Sequence, residues 1–427
     1  MDNLKGKTVS LAHGAGGKQT SELIDQVFKA HFANPELTSD DAAVLKMKEG
    51  KIAFTTDGFI VSPSEFPGGN IGKLSICGTV NDLSCMGAKP LYLSCAFVIE
   101  EGFPMEKLEA IAAAMEKTAK EAGVKIVAGD TKVAGKGQVD GVFITTTGIG
   151  EIQEGVETSG FMAKPGDAVI VSGDIGRHGC TILLAREDFG IDADVTSDCA
   201  PLWGTVQDIL SVTKDVHVIR DATRGGVGTV LYEIAEQSHT GIRLNAEAIP
   251  VQESVKGVCG MLGLEPLYLA CEGRLVIFAP KENAEAIVAK LREGKYSTEA
   301  AIIGEVTEEM PGRVVVTTEI GAETLLPPPG GELLPRICEV RERKNMENTR
   351  IAVLSIIVED SESTAKLNEM IHDYAEYVVG RMGIPYREKN ISIISLVIDA
   401  PQTKISELSG KIGRLSGVTA KAAYAKV

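Results

Sequence analysis

Four aspartates sit at the ends of short β-branched runs between residues 41 and 130: Asp41 in SDDAAVL, Asp57 in FTTDGF, Asp82 in TVNDLSCMGA and Asp130 in VAGDTK. One aspartate at a strand end is an ordinary turn former. Four of them suggest more, because carboxylates gathered at one sheet edge cannot all stay ionised without a cation. A hard divalent ion with oxygen ligands, Mg2+ holding a nucleotide polyphosphate, is the natural occupant. Two glycine-rich turns are candidates for the phosphates. His13-Gly14-Ala15-Gly16-Gly17-Lys18 precedes a helix-like segment, and Asp221-Ala222-Thr223-Arg224-Gly225-Gly226 precedes an apolar-striped one. Bare backbone N–H groups in such turns cradle anions; a plain surface turn is the competing reading of each. The first is neither a Walker A loop nor a dinucleotide fingerprint, since the required spacing and framing strand are missing. His13, His178 and His217 have no Cys or His partner at ligand spacing, which argues against zinc. Ser64 and Ser172 lack the context of a nucleophile elbow.

These residues need elements to hold them. Residues 51–56, 91–99, 124–128 and 141–147 are short β-branched runs bounded by Gly or Asp and predict strands. Between them, Leu108, Ile111, Ala112 and Met115 recur at helical spacing and Gly123 is placed to stop a helix over 105–122. An irregular connector covers 151–162. A second block then opens with a turn and strand in KPGDAVIVSG and reaches a helix over 226–239, striped by Val227, Val230, Leu231, Ile234 and Ala235. Two successive α+β domains are expected.

The chain has 427 residues and a formal net charge of −16, which argues against a partner made of nucleic-acid phosphates. No apolar run reaches the length of a membrane span, and the first residues lack the apolar core of a signal peptide, so a cytoplasmic protein is expected. The eight cysteines (77, 85, 95, 180, 199, 259, 271 and 338) show no CxxC spacing and read as free thiols, most of them small buried hydrophobes.

Charge and cysteine are unevenly distributed. Residues 346–427 hold ten acidic and ten basic side chains, so the whole net charge lies before them, and the cysteines stop at Cys338. The turn-rich stretch Pro327-Pro328-Pro329-Gly330-Gly331 and the charged run EVRERKN lie at this junction, as in a linker joining a second protein to a first. Residues 346–427 read strand (351–359), helix (361–373), strand (376–386), strand (391–399), helix (403–415), strand (418–426), the βαββαβ order of ferredoxin-like domains. The expected division is 1–152, 163–325, a tail and linker over 326–345, and 346–427.

The blocks GAGGKQTSELI, DDAAVL, TTDGFIVSPSEFPGGNIGKLSICGTVNDLSCMGAKPLYLS, VAGDTKV, IRDATRGGVG, EGRLVI and LPRIC stand in this order. Over about residues 7–338 they resemble the HypE family of hydrogenase maturation carbamoyl dehydratases, within the ATP-binding superfamily of aminoimidazole ribonucleotide synthetase. The resemblance implies an α+β, two-domain synthetase-like fold and ATP with Mg2+ as cofactors. It implies dehydration of a thiocarbamate on the chain's own cysteine to an S-cyano group, the source of cyanide ligands for nickel–iron hydrogenase. Carried over by position, Asp41, Asp57, Asp82 and Asp130 would serve cation and nucleotide, with Asn81 beside them. Gly14, Gly16, Gly17, Asp221 and Arg224 would face the phosphates. Lys132 would neutralise developing phosphate charge, Glu272 would take a proton, and Cys338 would carry the carbamoyl group. The implied partners are a second copy in a homodimer, the carbamoyltransferase HypF and the iron-carrying HypC–HypD scaffold, with no nucleic acid or membrane.

Two departures stand out. The family's NEG reads Cys271-Glu272-Gly273, keeping the acid and losing an amide. The family's chain ends at the carrier cysteine, whereas residues 339–427 follow Cys338 here. Within them, RMGIPYREKNISIISLVIDAP resembles regulators associated with iron-only hydrogenase, ACT-like domains for which a dimerising role and small-ligand sensing are both open. His372 is its only histidine, which speaks against a metal site there. The alternatives are another small-molecule kinase or ligase of the superfamily and a non-catalytic assembly or regulatory scaffold. The lack of any cysteine before Cys77 disfavours the selenophosphate type.

Overall fold

The computed structural model describes residues 6–10, 13, 22–34, 50–186, 191, 193–318, 320–328, 349–360, 363–372, 374, 377–386 and 391–424. The chain separates into two compact units, Met1–Pro335 and Arg336–Val427.

The first unit contains two lobes. In the first lobe, strands β1 (Ile52–Phe59), β4 (Ala88–Glu100), β5 (Lys125–Ala134) and β6 (Val142–Ile152) form a sheet in the order β1-β6-β4-β5, while β2 (Glu65–Phe66) and β3 (Gly69–Asn70) make a small hairpin. The register pairs Asp57 of β1 with Thr146 of β6, and Thr146 with Cys95 of β4. The helix Met105–Ala122 buries the expected stripe completely: Leu108, Ile111, Ala112 and Met115 have no accessible surface. It ends in Gly123, whose N–H bonds back to the carbonyls of Ala119 and Lys120.

The helix Ile71–Cys85 is different. The side chain of Asn70 caps it by accepting from the Lys73 N–H at 3.0 Å. Of its fifteen residues only Lys73 and Asp82 escape burial, the pattern of a helix covered on all sides. The sheet lies against one side of it and the second lobe against the other. Its last turns therefore carry residues to the junction of the lobes.

In the second lobe, β7 (Asp167–Val171), β8 (Val218–Asp221), β9 (Gly241–Asn245), β10 (Leu275–Pro280), β11 (Ala301–Thr307), β12 (Val314–Thr317) and β13 (Glu323–Leu325) form a mixed sheet in the order β13-β12-β9-β11-β7-β10-β8. Strand β7 is buried on both faces. Ala168 and Ile170 join the core shared with the first lobe, while Val169 and Val171 join a separate one beneath the helix Gly226–Ser238. A run of apolar residues with no polar face is what a strand covered on both sides requires.

The second unit is a sheet of β14 (Thr349–Val358), β15 (Val378–Tyr386), β16 (Ile391–Pro401) and β17 (Val418–Tyr424) in the order β15-β16-β14-β17. The helices Ser363–His372 and Gln402–Ile412 complete the βαββαβ sequence, as the strand and helix signals predict. Leu354, Ile356, Leu396, Leu408 and Ile412 form its core. Ile351, Val353 and Ile357, which alternate with buried residues along β14, remain exposed.

Candidate active site

Four carboxylates meet where the lobes join. Asp57 lies near the end of β1 and Asp82 in the last turn of the Ile71–Cys85 helix. Asp221 closes β8, and Glu272 lies three residues before β10. Thr55, two residues before Asp57 on the same strand face, donates its hydroxyl to Asp82 Oδ2 at 2.9 Å. Asp82, Asp221 and Glu272 each feel charge from within this set. Burial raises the Asp82 carboxyl above its ordinary range, against the Thr55 hydrogen bond; the Asp57 charge adds to the rise, and Arg220 and Arg224 oppose it. Burial, then the charge of Asp82, pushes Asp221 up to about 7. Glu272 is raised well above a normal glutamate, first by burial and then by Cys199, Asp221, Asp198 and Asp57. Asp221 and Glu272 both keep part of their surface open, so protein surrounds the carboxyls without sealing them.

The arrangement suits a hard cation and an anionic ligand together. Half-buried oxygens that repel one another gain from a divalent ion. A glutamate whose pKa is raised by burial is, when ionised, a stronger base than an ordinary one and is suited to moving a proton. Arg224 is exposed beside the cluster and acts on Asp82. Gly225 and Gly226 follow it with φ of 75° and 61°, a left-handed turn that glycine adopts without strain and that leads into the Gly226–Ser238 helix.

Two expectations about these residues change. Asp130 does not join the carboxylates within one chain. It lies on β5, the sheet edge opposite β1, roughly 14 Å from that strand at ordinary strand spacing. It is exposed and pairs with Lys132 at 3.3 Å. Among the described residues no group of three or more His, Cys, Asp or Glu side chains closes to metal-holding geometry. Asn81, expected beside the nucleotide, is 1% exposed, and its carboxamide bonds to main chain of the second lobe. Gly14, Gly16, Gly17, Asp41 and Cys338 lie outside the described residues.

Two residues at the site were missed. Thr55 was findable, because its two-residue offset from Asp57 sets both on one face of a strand. Asp198 was not, since it lies in an irregular stretch with no periodic signal. Its Oδ1 accepts the Glu272 N–H at 3.2 Å. The buried Arg274 lies 4.0 Å from its other oxygen and 2.5 Å from Asp174. Gly273, already singled out beside Glu272, is required here because a Cβ at this position would overlap the Asp198 carbonyl.

Residues 39–152 match the family model of the AIR synthase related protein N-terminal domain, and residues 164–317 that of its C-terminal domain. The carbamoyl dehydratase HypE of Rhodobacter capsulatus is 44% identical over 339 residues, spanning 99% of that protein and 78% of this chain. The chain belongs to the HypE carbamoyl dehydratase family. A crystal structure of the hydrogenase maturation protein HypE in complex with ATP superposes with a TM-score of 0.74 at 48% identity, covering all of that chain and 78% of this one. A crystal structure of a HypE–HypF complex superposes with a TM-score of 0.64 at 47% identity, covering 99% of that chain and 72% of this one. The HypE relatives do not account for the second unit. Residues 350–422 match the family model of an iron-only hydrogenase system regulator. Among the described residues no helix is long and apolar enough to cross a membrane.

Proposed function

We propose that this chain uses ATP to dehydrate a carbamoylated Cys338 to the S-cyano form, supplying cyanide for a nickel–iron hydrogenase centre. The observation that carries the reading is the meeting of Asp57, Asp82, Asp221 and Glu272 at the junction of two lobes that match the synthetase-like domains. The thiocarbamate oxygen is a poor leaving group. Its attack on the γ-phosphorus of ATP forms a C–O–P bond and releases ADP, while an N–H proton leaves to a base. Loss of the remaining N–H proton to a base, with cleavage of the C–O bond, then expels phosphate, which retains the carbamoyl oxygen, and leaves S–C≡N. Glu272 is the group suited to accept the proton, since burial raises its pKa and makes the ionised carboxylate a stronger base. Arg224, at the glycine-rich turn, faces the phosphates.

Asp57 and Asp82 would hold Mg2+, with Asp41 from outside the described residues. Their mutual repulsion and all-oxygen donor set fit that ion. When bound, it would offset the phosphate charge.

Asp130 and Lys132 enter the reading through a homodimer. Strand β1 lies at a sheet edge and exposes Ile52 by 53% and Phe54 by 67%. An open edge with large apolar side chains favours a second copy, and such a dimer would complete the ATP site with Asp130 and Lys132 of the other chain. HypF as the carbamoyl donor, HypC–HypD as the cyanide acceptor and a cytoplasmic setting complete the proposal.

The test is to charge the full chain with carbamoyl phosphate and a HypF carbamoyltransferase, then add ATP and Mg2+. Expected are loss of one water in intact mass, localised to Cys338, and equimolar phosphate. A carbamoylated chain that keeps its mass while ATP stays intact would contradict the reading.

A further inference from the structure

Asn81 sits on the Ile71–Cys85 helix, one residue before Asp82 and four after Cys77. Successive helical residues point about 100° apart, so Asn81 and Asp82 face different surroundings. Asp82 turns to Thr55 and the carboxylates; Asn81 turns to the second lobe. Its Nδ2 donates to the Ala200 carbonyl at 3.1 Å and to the Glu272 carbonyl at 3.4 Å. Its Oδ1 accepts the Leu202 N–H at 2.8 Å. A carboxamide offers two N–H donors and two acceptor lone pairs, so both donors and one lone pair are already committed to main chain.

The main chain of Glu272 is held at both ends. Its N–H donates to Asp198 Oδ1 at 3.2 Å, and its carbonyl accepts from the Ala200 N–H at 3.3 Å as well as from Asn81. Asp198 and Ala200 belong to the same lobe as Glu272. Of these bonds, the one from Asn81 comes from the lobe that carries Asp57 and Asp82.

We propose that Asn81 is a positioning residue, which fixes the main chain of Glu272 to the helix bearing Asp82 and so sets the glutamate against the nucleotide carboxylates across the lobe junction. This assignment rests on the reading of Glu272 as the proton acceptor. It differs from a nucleotide-binding role, which would need free donors, and from a purely structural tie, which would not act on the chemical step.

The consequence is kinetic. Asn81→Ala removes the Ala200 carbonyl's bond to the Ile71–Cys85 helix, leaves the Glu272 carbonyl with only the Ala200 N–H, and frees Glu272 to shift relative to that helix. A displacement near 1 Å at a reacting group costs on the order of a hundredfold in rate. We expect the single-turnover dehydration rate of the carbamoylated full chain, at saturating Mg·ATP, to fall by roughly tenfold to a hundredfold, with the ATP dissociation constant unchanged. Thermal unfolding gives the folded fraction by which each rate is scaled. If Asn81→Ala does not fold, Asn81→Ser, which keeps one donor at the site, carries the same measurement. Weaker ATP binding with a normal rate at saturation would make Asn81 a nucleotide ligand and overturn the proposal. A rate per folded molecule equal to the parent's would overturn it as well. Glu272→Gln, measured in parallel, separates the two layers: if it turns over at the parental rate the reading of Glu272 fails, whatever Asn81→Ala does.

Discussion

Asp221→Asn should stabilise the nucleotide-free, metal-free protein at neutral pH and leave it unchanged in acid. Burial and the neighbouring charges of Asp82 and Asp57 raise the Asp221 carboxyl from 3.8 to about 7, with Arg220 opposing. A rise of about three units corresponds to about 4 kcal/mol between the protonation states. Part of the residue is solvent-accessible, so screening reduces this to about 2 kcal/mol. The folded state holds the proton more tightly than the unfolded chain. Stability from this group is therefore complete below the unfolded value of 3.8 and is lost as pH rises through about 7. Asparagine cannot ionise and removes that loss. Thermal unfolding of parent and variant between about pH 3.5 and about pH 8 should give midpoints that nearly coincide at the acid end and separate by several degrees at the other, the variant being higher. Asp82 and Glu272 titrate in both proteins, so the difference between the curves isolates Asp221 and whatever relief its neutralisation gives them. Parallel curves across the whole range would refute the claim that burial and neighbouring charge hold the Asp221 carboxyl above its ordinary range in the folded chain.

Asp82→Ala should weaken Mg·ATP binding at least tenfold, the scale of a lost charge contact, without loss of fold; isothermal titration with unchanged affinity would remove Asp82 from the site. Cys338→Ala should end S-cyanation and leave ATP binding intact, and cutting the chain after Cys338 should keep or raise turnover, because the second unit no longer accompanies the carrier; thiocyanate formed by Cys338→Ala would overturn the carrier assignment. Light scattering of the full chain should report a dimer that Phe54→Asp converts to monomer, since this side chain is 67% exposed on the open edge of β1. A monomeric parent at micromolar concentration would end the homodimer reading.

Periodic features were legible before the structure. The stripe Leu108, Ile111, Ala112 and Met115 repeats at helical spacing, and nothing but a buried helix face explains it. Asp57 and Asp82 stood out in the sequence as candidates because a carboxylate in an otherwise apolar stretch needs a partner or a task. Asp130 looked equivalent because its local pattern is the same as theirs. Only the strand order, set by pairing between distant segments, places it on the other edge. Asn81 was misread through adjacency: beside Asp82 in the chain, it points elsewhere on the helix. Asp198 and the main-chain clamp on Glu272 lie in irregular backbone, where no spacing rule applies and only the folded chain shows what meets what.

The most direct test of the proposed chemistry follows the carbamoyl oxygen. Cys338 would be charged with carbamoyl carrying a heavy-oxygen label, and the products of one turnover with Mg·ATP analysed by mass spectrometry. Phosphorylation of the thiocarbamate oxygen predicts that the label leaves in inorganic phosphate. Label found in water, with unlabelled phosphate, would contradict ATP-driven dehydration at this site.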